Sequence, residues 1–263
     1  MNRIITLTTD FGHSDPFVGV MKGVILGIAP QVRIVDLCHE IPPQDLFAGV
    51  FLLESAFHFF PPNTIHVVVT DPGVGGERAP IVVETPEYLF VGPDNGLIPT
   101  AIQDYTPIRR SVRLSRPQYF RQPVSATFHG RDIFAPVAAH LANGVPLEAF
   151  GEPFENLKTL AQPRPTFMDS EAILHVVHVD RFGNLVTDLR AQDLGKWAGN
   201  SLVRFLAGNT WINGICRTYA DVEAGMPVAY IGSSGRLEIA LREGNAAKTL
   251  GVGVGGTIRM QRG

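Results

Sequence analysis

The sequence predicts an α/β N-terminal domain with a mainly parallel sheet, followed by a smaller all-β, barrel-like C-terminal domain. Three observations predict it. Near the N-terminus, three short runs rich in β-branched residues are separated by two apolar stretches with helical spacing. After about residue 150 the texture changes, and "GEPFENLKTLAQPRPTF" is Pro-rich and irregular. Beyond it lie short strand-like segments between Gly and Asn turns. The expected division is an α/β domain at 1–158, a linker at 159–168 and a β-barrel domain at 169–263.

Taken in order, "IITLTTDF" (4–11) reads as a buried strand that ends at Asp10. "DPFVGVMKGVILGIAP" (15–30) carries apolar residues at helical spacing and stops at Pro30. "VRIVDLC" is a second strand, and "QDLFAGVFLLESAFHFF" (44–60) a strongly apolar helix closed by Pro61 and Pro62. "TIHVVVTD" is a third strand. Strands joined through helices point to a parallel sheet covered on both faces. "APIVVET" and "YLFVGPDNG" read as paired strands, and "FHGRDIFAPVAAHLANG" (128–144) as a loop and helix ending at Gly144. In the second domain "AILHVVHVD", "SLVRFLAG", "TWINGICRTY", "PVAYIGSSG", "RLEIALREG" and "TIRMQR" read as strands of a small barrel or sandwich. "GVGVGG" lacks the strand–turn–helix context of a dinucleotide loop and reads as a turn before the last strand.

Composition narrows the function. Of 263 residues 45% are apolar and 18% charged, which suits a sizeable core and argues against disorder. A net charge of −3 without any Lys/Arg run argues against a nucleic-acid partner. Cys38 and Cys216 stand far apart without a CxxC, so a disulfide framework or zinc ribbon is not expected, and both read as buried, inert thiols. The N-terminus has no secretory pattern and no apolar run is long enough to span a membrane. These features lead us to expect a soluble cytoplasmic protein with no membrane partner.

Ligands of parallel α/β sheets collect at the carboxyl ends of the strands. Asp10 and Asp71 both follow such strands. Each has a plain reading as an Asx turn or helix cap. Two acids at one sheet edge also suit a ribose diol, whose hydroxyl protons a carboxylate accepts. In "DPGVGGER" no Lys-Ser/Thr follows the glycines, so a phosphate loop is weakly supported. Arg78, just past the turn, either sits on the surface or folds back toward Asp71. His129 in "TFHGRD" reads as a structural His or, with one ring nitrogen held by a neighbouring Asp, as a proton-transfer group. "TDFGHSD" offers Asp10, His13 and Asp15 as a metal set, without a paired-His motif to support it. "VDRFGNLVTDL" places Asp180, Phe182 and Asn184 in one turn. There, Phe182 suits stacking and Asn184 suits reading a purine edge, although a β-turn explains Gly183 and Asn184 equally. Ser233, Ser234 and Asn245 lie in polar turns that are ordinary by themselves.

The segments "TDFG", "VDLCHEIPPQD", "VVVTDPGVGG.R", "VGPDNGL", "FHGRDIFAPVAAHLA", "D.FGN..T" and "GNAA" occur together in an order that resembles the S-adenosylmethionine hydroxide adenosyltransferases, relatives of the fluorinase and chlorinase. The resemblance spans nearly the whole chain. It implies attack of water or hydroxide on C5′ of S-adenosylmethionine, giving adenosine and L-methionine. It implies no metal or other cofactor, a small-molecule substrate, and a homotrimer with active sites between subunits. It places an Asp–Arg–His triad on Asp71, Arg78 and His129. It assigns Asp10 to the ribose, Phe182, Asn184 and Ala246 to the adenine, Asp180 and Ser233 to the methionine end, and Asn245 to the substrate site. The short segment at 79–93, and Gly130 where the fluorinase has a halide-binding Ser, favour hydroxide over halide. Ser234 stands where the fluorinase has an Arg at the methionine end. The competing readings are a halogenase, a metal-dependent hydrolase built on Asp10, His13, Asp15 and Asp71, and a non-catalytic adenosine or S-adenosylmethionine sensor.

Overall fold

A computed structural model describes residues 3–263. The chain forms two compact units, one ending at Leu160 and one running from Ala161 to Gly263. The first contains β1 (Ile4–Thr9), α1 (Phe17–Ile28), β2 (Arg33–Cys38), α2 (Leu46–Glu54), β3 (Ile65–Val69), β4 (Pro80–Glu84), β5 (Leu89–Pro93), α3 (Leu97–Ile102), β6 (Arg110–Arg113) and α4 (Ala135–Ala142). Its sheet has the order β2-β1-β3-β5-β4-β6. The four strands β2, β1, β3 and β5 run parallel, and β4 is antiparallel to both of its neighbours.

Strand alternation sorts the side chains between two faces. Ile5, Leu7, Val67 and Val69 pack with Met21 and Ile25 of α1 and Val137 and Ala138 of α4. Val68, Ile81, Val83 and Phe90 pack instead with Val50 and Leu53 of α2 and Leu97 and Ile98 of α3. Both faces are therefore covered, which is why β1 and β3 read as continuous apolar runs.

The expected single helix over 44–60 is shorter. Asp45 caps α2 by accepting from the Ala48 N–H at 3.0 Å, and the helix ends at Glu54 before a short 3-10 turn at Phe57–Phe59. The expected loop and helix at 128–144 contain a π-helical turn over Gly130–Phe134 that leads into α4.

The second unit contains β7 (Thr166–Phe167), β8 (Glu171–Val179), β9 (Leu185–Arg190), α5 (Ala191–Ala198), β10 (Val203–Ala207), β11 (Thr210–Asn213), β12 (Pro227–Ile231), β13 (Arg236–Leu241), α6 (Ala246–Leu250) and β14 (Thr257–Arg262). Its antiparallel sheet runs β11-β10-β14-β8-β9-β13-β12, with β7 paired to β8. A bridge between Cys216 and Tyr230 joins the two ends and nearly closes a barrel around Leu174, Leu189, Phe205 and Ile239. Four elements here escaped the sequence reading: β7, β9, α5 and α6. The "VTDL" of β9 hides a strand because Asp188 is buried as the acceptor of the His175 backbone N–H, and its Oδ2 lies 2.8 Å from His175 Nδ1.

Cys38 and Cys216 are partly exposed rather than buried, because both lie at sheet edges. No helix among the described residues is long and apolar enough to cross a membrane.

Candidate active site

The carboxyl ends of β1 and β3 open into a cleft of about 640 Å³ lined by Asp10, Gln44, Val69, Asp71, Phe128 and His129 among others. That volume lies within the range of small-molecule pockets. The local folding of the β3–β4 turn explains its glycines. Val74 N–H donates to the Asp71 carbonyl at 3.2 Å and Gly76 N–H to the Gly73 carbonyl at 3.0 Å, which coils the chain tightly. Arg78 then returns over the turn, and a side chain at position 73 would stand only 3.2 Å from Arg78 Cγ.

The result is a paired charge. Arg78 Nε donates to both carboxylate oxygens of Asp71 at 3.0 Å, and Nη2 donates to Oδ2 at 2.5 Å. The two side chains are 6% and 5% exposed, so water screens the pair little. Arg78 also lies 5.6 Å over the Phe134 ring.

His129 completes the cluster from another loop. Arg78 Nη2 lies 2.6 Å from His129 Nδ1. A guanidinium only donates, so Nδ1 accepts and the neutral ring carries its proton on Nε2. The sequence offered, beside a structural His, an Asp that would hold one ring nitrogen and leave the other free. The holder is Arg78, and the lone pair of the neutral ring is already engaged. Burial lowers the His129 pKa below the usual imidazole value, and the Arg78 charge lowers it further. Asp71, Asp132 and a hydrogen bond to the Ser125 backbone oppose this.

The loop bearing His129 is fixed by two features that the sequence reading missed. Asp132, fully buried, accepts from Arg131 Nε at 2.7 Å, from Arg131 Nη2 at 2.8 Å and from the Ser125 N–H at 2.8 Å. The "GRD" triplet held this signal, since a buried carboxylate needs donors close by. Gly75 adopts a φ of 77°, and a Cβ there would meet the Ala126 carbonyl oxygen at 2.4 Å. We expect Gly75→Ala to combine left-handed strain with displacement of the 125–129 loop. It should lower stability by about 1–3 kcal/mol and turnover along with it, as read by thermal unfolding and initial rates.

Asp10 lies on the same cleft. Its Oδ2 accepts from the Gln44 N–H at 2.8 Å, and Gln44 is held at a φ of 66°. Burial raises its pKa, and the nearby Asp71 charge raises it further against the Gln44 bond. His13 does not join a metal set with Asp10 and Asp15; its ring packs edge-on to His39 at 5.1 Å. Among the described residues no three His, Cys, Asp or Glu side chains gather in an arrangement that would hold a metal ion.

The remaining residues singled out from the sequence lie in the barrel unit. Asp180 Oδ1 accepts from the Phe182 and Asn184 N–H groups at 2.9 and 2.8 Å, and Oδ2 accepts from Asn184 Nδ2 at 2.8 Å. That bonding turns Phe182 outward, 74% exposed. Asn245 caps α6 by accepting from the Lys248 N–H at 2.8 Å, and its amide packs on Gly183, where a Cβ would stand 2.1 Å from Nδ2. Ala246 is buried beside it, and Ser233 is exposed in the turn after β12. The structure thus assembles Asp10, Asp71, Arg78 and His129 in one unit. In the other, Asp180, Phe182 and Asn184 share one turn against Asn245 and Ala246.

An α/β unit carrying a buried Asp–Arg pair bonded to a His, and a barrel unit carrying an Asp–Phe–Asn turn, define the class. The chain belongs to the SAM hydroxide adenosyltransferase family: the model of the family's N-terminal domain matches residues 5–151 and that of its C-terminal domain residues 174–259. It is 38% identical to a protein of Thermus thermophilus named (R)-S-adenosyl-L-methionine hydrolase, over 98% of this chain and 99% of that one. A protein of the same name from Salinispora tropica is 36% identical over 98% of both chains. A fluorinase of Nocardia brasiliensis is 27% identical over 99% of this chain and 97% of its own. A crystal structure of an uncharacterised conserved protein from Thermotoga maritima superposes with a TM-score of 0.92 at 35% identity, covering 98% of this chain and all of that one.

Proposed function

We propose that this protein hydrolyses S-adenosyl-L-methionine to adenosine and L-methionine by attack of water at C5′. The observation that carries the reading is the buried Asp71–Arg78 pair bonded to His129 at the strand ends, in a chain whose relatives at 35–38% identity bear the hydrolase name. The sulfonium leaves as a neutral thioether, so no acid is needed at sulfur. The difficulty lies in the nucleophile, because bulk water has a pKa of about 15.7. The Arg78 guanidinium stabilises hydroxide character, and His129, held on Arg78, lines the cleft beside the water. As the O–C5′ bond forms and the C5′–S bond breaks, Asp71 accepts the proton and releases it to solvent. Asp10 holds the ribose diol through the oxygen that Gln44 leaves free.

In this reading Phe182, Asn184, Asn245 and Ala246 frame the adenine, and Asp180 and Ser233 hold the methionine end. A homotrimer with sites between subunits, and the absence of any resident cofactor, are parts of the same proposal. Sedimentation and activity under exhaustive chelation test them. The main experiment is incubation of the pure protein with S-adenosylmethionine and chelator, followed by chromatography. Adenosine and methionine are expected in equal amounts. Adenosine binding without methionine release would identify a sensor, and 5′-chloro-5′-deoxyadenosine formed in chloride a halogenase.

The His129 assignment carries a pH signature. Protonation of His129 removes the acceptor for Arg78 and sets two cations side by side, so activity is lost as pH falls through its pKa. Because that pKa is lowered, the acid limb of kcat/KM should lie below about pH 6.5. It should disappear in His129→Gln, whatever rate remains. A limb above the ordinary imidazole value contradicts the assignment.

A further inference from the structure

The barrel unit contains a chain of hydrogen bonds that the chemistry above leaves unused. In the β12–β13 pair, Tyr230 stands directly opposite Glu238. Tyr230 OH donates to Glu238 Oε2 at 2.5 Å, and the Tyr219 and Tyr230 hydroxyls lie 2.7 Å apart. Asn184 Nδ2 reaches Tyr219 OH at 3.4 Å as well as Asp180 Oδ2 at 2.8 Å. The Glu238 carboxyl is held in place, since its Oε1 lies so close to Gly232 that a Cβ there would stand 1.9 Å away.

The chain has a direction. A carboxylate accepts only, so Tyr230 gives its single proton to Glu238. Burial and the Glu238 contact raise the Tyr230 pKa, which keeps that proton on the phenol. The Tyr230 oxygen therefore accepts from Tyr219. Tyr219, having given its proton, accepts from Asn184. Asp180 demands the same amide orientation. Both Asn184 protons are taken within the protein, and its Oδ1 accepts no hydrogen bond among the described residues.

We propose that Glu238 is a positioning residue: through Tyr230 and Tyr219 it holds the Asn184 carboxamide with its carbonyl offered to the ligand, so that the site takes a 6-amino purine and rejects a 6-oxo purine. The proposal rests on the adenosyl reading above. Removing the chain's end lets the tyrosine hydroxyls reverse, so that Asp180 alone is left to hold the amide and its orientation is less firmly set.

The test compares adenosine with inosine by calorimetry, on the full chain and its variants. Wild-type protein should favour adenosine. In Glu238→Ala the adenosine-to-inosine preference should fall roughly three- to tenfold, the range of one hydrogen bond. Glu238→Gln, whose carbonyl oxygen also accepts from Tyr230, should keep the preference. Tyr219→Phe, at a position 42% exposed and tolerant of the change, should lose it as Glu238→Ala does. An unchanged preference in Glu238→Ala and Tyr219→Phe, or equal weakening of both nucleosides, overturns the proposal. So does a Gln variant as impaired as the Ala variant. Wild-type protein that binds neither nucleoside overturns this proposal and the adenosyl reading together.

Discussion

Replacing Arg78 by Ala is expected to lower the rate of methionine release by about 10²–10³ or more while adenosine still binds, because one preorganised charge in a dry site contributes that much. The same change leaves the Asp71 carboxylate, 5% exposed, without its partner. Losing one partner of a buried ion pair costs about 3–5 kcal/mol, so thermal unfolding of the variant must accompany its kinetics. Arg78→Lys keeps a charge but not the fork that grips both Asp71 oxygens and reaches Nδ1 of His129. It should recover stability better than rate. A folded Arg78→Ala protein with near-wild-type turnover removes Arg78 from the mechanism.

The second large effect concerns stability in acid. His66 on β3 is fully buried, stacked 5.0 Å from Phe90 and bonded through Nδ1 to Thr6 Oγ1 at 2.8 Å. Burial pushes its pKa down to about 3, against 6.5 for an ordinary imidazole. Between those values the unfolded chain binds a proton that the folded chain refuses. Stability is therefore complete above about pH 6.5 and falls as the medium is acidified toward pH 3, by about 4 kcal/mol from this group. Denaturant unfolding across that range should show the decline. His66→Phe, which fits an aromatic neighbourhood, should flatten it; an equal slope in the variant would assign the acid sensitivity to other groups.

Much of the architecture was legible because it rests on period. Val67, Val68 and Val69 are all apolar, and a strand covered on both faces requires that. What escaped was set by tertiary pairing. β9 carries a buried Asp188 whose partner His175 is on β8, and no local pattern announces it. The candidate site was half legible. The turn at 73–76 left open that Arg78 folds back on Asp71, and the close pass of Arg78 Cγ accounts for Gly73, as the Ala126 carbonyl does for Gly75. The residues alone left that possibility beside a surface arginine, and the family resemblance favoured the charged pair. The residues alone did not show Arg78 as the partner of His129, because the two lie 51 residues apart and spacing says nothing about which loops converge. Tyr230 and Glu238 were invisible as a pair because hairpin register, not sequence distance, sets them opposite each other.

The central claim is that a solvent oxygen displaces the sulfonium at C5′. Turnover in water enriched in oxygen-18, with mass analysis of both products, tests it most directly. The account predicts adenosine heavier by one labelled oxygen and unlabelled methionine. Unlabelled adenosine, or label found only in methionine, would contradict it.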